Sequence, residues 1–158
     1  MGESILAVDQ GTTSTKAFLL GEDGNLIKSR PVTITQHYPA PGFVEHDAIE
    51  IYISVLKTMA DVILDNPCIV IDCVAITNQR ETTIAFNKDS GEPYCNAIVW
   101  QCRRTADICR RPKIMEKEKT ISKTTGLRVD PYFSATKMRW ILENIPGTEK
   151  AALSGELK

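Results

Sequence analysis

The sequence predicts an α/β layer fold with a mixed sheet. Three observations lead there. Apolar, β-prone runs at Ser4–Val8, Thr15–Leu20 and about Leu26–Thr35 are joined by short links, as in an antiparallel meander. Apolar residues then recur at helical spacing over 48–65. A nearly continuous apolar run, Ile69–Ile76, follows as expected of a buried strand. This order departs from strict βαβ alternation, which argues against a dinucleotide-binding domain, and neither GxGxxG nor GxxxxGK[ST] occurs.

Each element has its own signals. The first strand stops at Asp9-Gln10-Gly11. Gly21-Glu22-Asp23-Gly24-Asn25 separates the second strand from the third. Pro39, Pro41 and Gly42 mark an irregular loop. Asp47 stands three residues before Glu50, an N-cap with a carboxylate that can reach back. Tyr52, Val55, Leu56, Met59 and Ile63 form the expected buried face of the helix, and Pro67 ends it. Strands are expected near Thr82–Phe86 and Ala97–Trp100, around the turn Asn87–Pro93. A short helix follows from Arg103. Residues 111–123 read as a solvated helix or loop that Thr124-Thr125-Gly126 interrupts. Ser134 is placed to cap a last helix running to Ile145, with Met138, Ile141 and Leu142 inward.

The chain has 158 residues, 42% hydrophobic and 25% charged, which suits one domain with a real core. A net charge of -1 gives no basic excess for nucleic acid or an anionic membrane. The five cysteines form no CxxC pair, and His37 and His46 lie far from them in sequence. That pattern fits neither a disulfide framework nor a zinc site. The start, MGESILAVDQ, lacks a signal-peptide core, and Leu6 breaks the myristoylation pattern after Gly2. No apolar stretch approaches the roughly 20 residues of a membrane span. The expected compartment is the cytosol.

Four clusters carry candidate chemistry. Asp9-Gln10-Gly11-Thr12-Thr13-Ser14-Thr15-Lys16 lies between two strands. Glycine allows a tight turn whose N–H groups converge on an anion, three hydroxyls and Lys16 add donors, and Asp9 is placed to serve Mg²⁺ directly or through water. An ordinary hairpin turn fits the same residues. Asn78-Gln79-Arg80-Glu81 ends the buried strand. Its amides and charges suit a vicinal polyol, whose hydroxyls both donate and accept, or else a solvated loop with a surface ion pair. Trp100, before Gln101-Cys102-Arg103-Arg104, is either an apolar wall for a substrate or a core residue. Tyr132, within Asp130-Pro131-Tyr132-Phe133-Ser134, offers a hydroxyl and a ring, or packs under its loop.

Taken together, AVDQGTTSTKAFL, ITNQRETT, NAIVWQCRRT and DPYFSATK resemble the FGGY carbohydrate kinases, with the glycerol kinases as the matching branch. The resemblance runs from about Ile5 to the end of the chain. It implies an actin-like ATPase fold of two ribonuclease-H-like domains around a cleft, with ATP and Mg²⁺ as cofactors and glycerol as substrate. It implies that Gly11, Thr12, Thr13, Ser14 and Lys16 approach the nucleotide phosphates, Lys16 standing where many relatives carry Arg. Asp9 would serve the Mg²⁺ shell, Arg80, Glu81 and Tyr132 would hydrogen-bond glycerol, and Trp100 would flank its carbons. The family's catalytic Asp belongs to a Gly-Asp-Gln segment that these residues do not contain. Residues 1–158 are therefore expected to be a partial N-terminal domain of a homo-oligomeric parent, without the second, nucleotide-binding domain and inactive alone. A kinase for another polyol or sugar, or a non-catalytic binding role, remains the alternative.

Overall fold

The computed structural model describes residues 4–158; Met1 and Gly2, which bear on the reading of the amino terminus, lie outside them. In chain order the elements are β1 (Ser4–Gln10), β2 (Ser14–Gly21), β3 (Leu26–Lys28), β4 (Val32–Thr33), β5 (Glu45–His46), α1 (Ala48–Leu64), β6 (Cys73–Thr77), β7 (Ala97–Ile98), α2 (Ala106–Cys109), α3 (Pro112–Met115), α4 (Glu118–Thr125), α5 (Ser134–Asn144) and α6 (Thr148–Ser154). They divide into two compact units. One comprises the chain through Gln36 with Asp47–Gln79, the other His37–His46 with Arg80–Lys158.

The first unit carries the mixed sheet, in strand order β3-β2-β1-β6, with β4 also paired to β2. β1 and β2 run antiparallel from Ser4↔Gly21 to Gln10↔Thr15, and β6 joins β1 in parallel from Ile5↔Cys73 to Asp9↔Thr77. The meander and the later parallel strand thus take the expected order. The third strand, however, is broken. Ser29 exchanges bonds with Ala17, its N–H donating to Ala17 O and its Oγ accepting from Ala17 N, and Pro31 has no N–H to give the ladder. Pairing resumes at Val32. The expected 69–76 strand starts only at Cys73, and all five of its residues are exposed, because β6 has a neighbour on one side alone.

Asp47 caps α1, accepting from Ile49 N at 2.7 Å and Glu50 N at 3.2 Å. Glu50 does not reach back. It accepts instead from Thr35 N and Thr35 Oγ1, fastening the chain after β4 to the helix. The buried face of α1 also differs from the expected one. Ser54, Thr58 and Val62 are buried, with Val55 and Met59 packed beside them on Leu6, Val8, Ala17 and Leu19. Tyr52, Leu56 and Ile63 are exposed. Apolar residues surround most of this helix, so periodicity alone did not settle its orientation. The small hydroxyl residues allow close approach to the sheet and satisfy themselves there: Thr15 Oγ1 and Ser54 Oγ lie 2.6 Å apart, and Thr58 Oγ1 donates to Ser54 O.

The second unit packs Ala85, Ile98, Cys102 and Ile141 with Phe43, Val44, Trp140 and Leu157. Its sheet is only β5 and β7, antiparallel. The strand expected at 82–86 reduces to isolated bridges, Thr83↔Ile98 and Phe86↔Pro93. Arg104 holds this core together. Its guanidinium lies 4.1 Å from the Phe43 ring centroid and 4.6 Å from that of Trp140, and it pairs with Glu45 at 2.6 Å. The 111–123 region is helical in two pieces, and Gly126 closes α4 at φ 75°, as the Thr-Thr-Gly break predicts. α5 begins at Ser134 itself, with Phe133 in the N-cap position; Ile141 is buried, Leu142 is half-buried and Met138 is exposed. Lys137, charged and unforeseen as a core residue, is fully buried. Among the described residues no helix is long and apolar enough to cross a membrane.

Candidate functional site

In the first unit the sequence-predicted turn sits at the carboxyl end of the parallel pair β1–β6, the end of a sheet where ligands commonly bind. Gly11 N donates to Ser14 O at 3.1 Å, and a Cβ on Gly11 would meet that same oxygen at 3.0 Å. Only glycine fits this close approach comfortably. The turn is braced from outside. Gln79 Nε2 donates to Gly11 O at 3.0 Å and to Gln10 Oε1 at 3.3 Å, while Ile34 N donates to Thr13 O. Gln79 therefore braces the turn from the end of β6. Asp9 lies opposite Lys16 in one register and Thr77 in the other, on the sheet face away from α1. Asp9, Thr77, Ala7, Ala75 and Phe18 line a shallow depression of about 280 Å³ there.

This donor set suits a nucleotide's phosphates and a hydrated Mg²⁺. One half-buried carboxylate stands beside hydroxyl groups and a lysine, and no group of three metal-ligating side chains occurs among the described residues. Asp9 alone would hold Mg²⁺ through water, with phosphate oxygens supplying other ligands.

In the second unit three of the four predicted substrate residues converge. Trp100 and Tyr132 meet edge to face, with ring centroids 5.9 Å apart, and Tyr132 packs against Phe133 in the same way at 5.1 Å. Glu81 is linked to this aromatic group through α5. Its Oε2 accepts from Ser134 N at 3.2 Å and Ser134 Oγ at 2.9 Å, at the first residue of the helix, where the helix dipole favours a carboxylate. That leaves Oε1 for another donor. Glu81 has φ 65°, the one left-handed non-glycine residue among those described. Lys137 Nζ donates to Glu81 O at 3.0 Å and, by a shorter bond, to Tyr132 O. Burial pulls the Lys137 ammonium below its ordinary pKa, and the Glu81 carboxylate opposes that shift. Arg80 is exposed and joins none of the ion pairs among the described residues, which include no Arg80–Glu81 pair.

Sequence reading missed Gln79 as the brace of the turn and Ser134 and Lys137 as the supports of Glu81. A lysine at an inward helical position, three residues after a serine that opens the helix, was the available signal for the last two.

The architecture is that of an actin-like, ribonuclease-H-like ATPase in part, with a glycine turn at the sheet end and a separate carboxylate–aromatic cluster. The profile described as "FGGY family of carbohydrate kinases, N-terminal domain" matches residues 4–154, and the chain belongs to that family. It is similar to the glycerol kinase of Desulforamulus reducens, 49% identical over 155 residues, and to that of Photorhabdus laumondii, 50% identical over 156. Each alignment covers 97% of this chain and 31% of the relative, so the chain spans about a third of their length. Among solved structures, Plasmodium falciparum glycerol kinase with ADP matches at a TM-score of 0.91 and 34% identity, over 99% of this chain and 32% of that one. Gluconate kinase from Lactobacillus acidophilus shares the fold at a TM-score of 0.81 and 24% identity, over 94% of this chain and 30% of that one.

Proposed function

We propose that the chain is the phosphate-turn and polyol-binding part of an ATP-dependent kinase that converts glycerol to sn-glycerol 3-phosphate. The observation that carries the reading is the cluster of Glu81, Trp100 and Tyr132. It combines a carboxylate fixed by one oxygen with an apolar wall and a phenol, the groups a short polyol requires. Glu81 and Tyr132 would bond the hydroxyls, Arg80 would donate from the rim, and Trp100 would cover the carbons. Gly11, Thr12, Thr13, Ser14 and Lys16 would hold the nucleotide phosphates, and Asp9 the hydrated Mg²⁺. The metal would neutralise charge on the transferring group. On this reading residues 1–158 form a partial N-terminal domain. The adenine-binding domain and the carboxylate that deprotonates the hydroxyl come from elsewhere in a homo-oligomeric, cytosolic enzyme. The similarity to glycerol kinases, stronger than to the gluconate kinase, supports glycerol over a sugar.

The test is a protein in which this chain is continued by the remaining residues of the D. reducens relative, assayed with Mg-ATP and a panel of polyols and sugars beside residues 1–158 alone. Glycerol is expected to be the best substrate of the joined protein. The 158 residues alone are expected to give no turnover, since general-base catalysis typically supplies about 10²–10⁴-fold and positioning about 7–11 kcal/mol. Preference for another substrate, or turnover by the short chain near the joined protein's rate, refutes the reading.

A further inference from the structure

We infer that Lys137 is a positioning residue of the polyol site: its ammonium group joins the backbone carbonyls of Glu81 and Tyr132 and so fixes the two side chains that would grip the substrate's hydroxyls. The inference rests on the functional reading above.

An ammonium group is costly to bury, and a lysine stem that only filled space would be better replaced by leucine or methionine. Lys137 is nonetheless fully buried, and both of its hydrogen bonds go to main-chain oxygens of candidate site residues. Those oxygens lie in two loops that are far apart in sequence, so no secondary-structure ladder relates them. The lysine supplies that relation.

The second observation is conformational. Glu81 occupies the left-handed region at φ 65°, which a side chain with a Cβ adopts only when its surroundings enforce it. α5 enforces it at two points three residues apart on one helical face. Lys137 holds the Glu81 carbonyl, and Ser134 holds the carboxylate through its N–H and hydroxyl. Fixing both ends of the residue aims Glu81 Oε1. The same ammonium fixes Tyr132, whose ring meets Trp100. Without Lys137 two part-buried carbonyls lose a donor, Glu81 is released toward ordinary backbone angles, and the carboxylate, phenol and indole no longer keep one spacing. A displacement of this kind weakens substrate binding without touching the phosphate turn, whose supports are Gln79 and Ile34.

The experiment compares Lys137→Met and Ser134→Ala in the joined protein, and follows Lys137→Met in the 158-residue chain by NMR. Lys137→Met is expected to raise the KM for glycerol tenfold or more while the KM for ATP stays within twofold. Ser134→Ala is expected to give a smaller rise in the same direction. In the 158-residue chain the amide–Hα coupling of Glu81 should leave its left-handed value and the Tyr132 amide should shift. Parallel rises in both KM values, or a fall in Tm with the glycerol KM unchanged, would reduce Lys137 to a structural residue and overturn the inference. If the unmodified joined protein does not phosphorylate glycerol, the functional reading fails on its own. The NMR arm still decides the clamp, because an unchanged Glu81 conformation in Lys137→Met overturns it.

Discussion

Glu81→Ala separates substrate binding from scaffolding. On the proposed reading the carboxylate has two tasks that use different oxygens. Oε2 accepts from Ser134 N and Oγ, and on that reading Oε1 would accept from a polyol hydroxyl. Truncation would then remove a charge-assisted hydrogen bond to the substrate, typically about 1.5–3 kcal/mol, which corresponds to roughly 10- to 150-fold in glycerol affinity. It also removes the acceptor at the start of α5, a loss of about 1 kcal/mol in stability by analogy with a helix cap. Alanine does not relieve the left-handed backbone, since it keeps the Cβ that makes φ 65° unfavourable. Glu81→Gln isolates the charge, because an amide oxygen can still accept from Ser134. The assay is initial-rate kinetics of the joined protein with glycerol and ATP varied in turn, alongside thermal unfolding. A rise confined to the glycerol KM is expected, larger for Ala than for Gln. Equal losses for glycerol and ATP, or an unchanged glycerol KM with a lowered Tm, would mean that Glu81 serves α5 and not the substrate.

Arg104→Ala should destabilise the second unit by about 3–5 kcal/mol, since it leaves the Glu45 carboxylate without its ion-pair partner, only Asn96 still donating to it, and empties the space between Phe43 and Trp140. Thermal unfolding reads this, and a loss below about 1 kcal/mol, the level of an exposed pair, would refute it. Glu143 accepts from Arg111 and Arg139, which hold its pKa down at about 2. Because the folded-state pKa is depressed, the pairing contributes in full above the ordinary carboxylate range and is lost as pH falls toward about 2. The Tm difference between the wild type and Glu143→Gln should therefore shrink across that acidic interval; a difference independent of pH would exclude the pairing as its source.

The legible parts of the sequence were those in which one local rule decided the outcome. Asp47 before an apolar periodic run gave the start of α1, and Thr125-Gly126 gave the end of α4. The order of strands followed from short links and one long apolar run. The misread parts were those in which distant residues competed. The inward face of α1 was misread because Ser54 and Thr58 pack against Thr15 and the sheet while larger apolar residues turn outward. Pro31 marks a weak point between β3 and β4, but where the pairing stops depends on Ser29 bonding Ala17 across the ladder, which no local pattern shows. The resemblance proposes Glu81, Trp100 and Tyr132 as substrate residues, whereas the buried lysine that ties two of them together closes the DPYFSATK segment with no local pattern to mark it as buried.

The tetrapeptide Asn78-Gln79-Arg80-Glu81 shows why such a site resists a purely local reading. Its four polar side chains suggest one patch, yet Gln79 belongs to one compact unit and Glu81 to the other. Gln79 turns back to brace the Gly11 turn, and Glu81 is held by the first turn of α5. What sorts them is the register of β6. Thr77 pairs with Asp9, which sets the direction in which Gln79 leaves the strand. A slip of one residue would exchange the two faces of β6, move Thr77 away from the Asp9 side and send the Gln79 amide away from Gly11. Glu81 itself has a left-handed backbone, which sets where its own side chain leaves the chain. The chemistry assigned to each residue of the run thus depends on two backbone facts, a strand register and one positive φ, and composition carries neither.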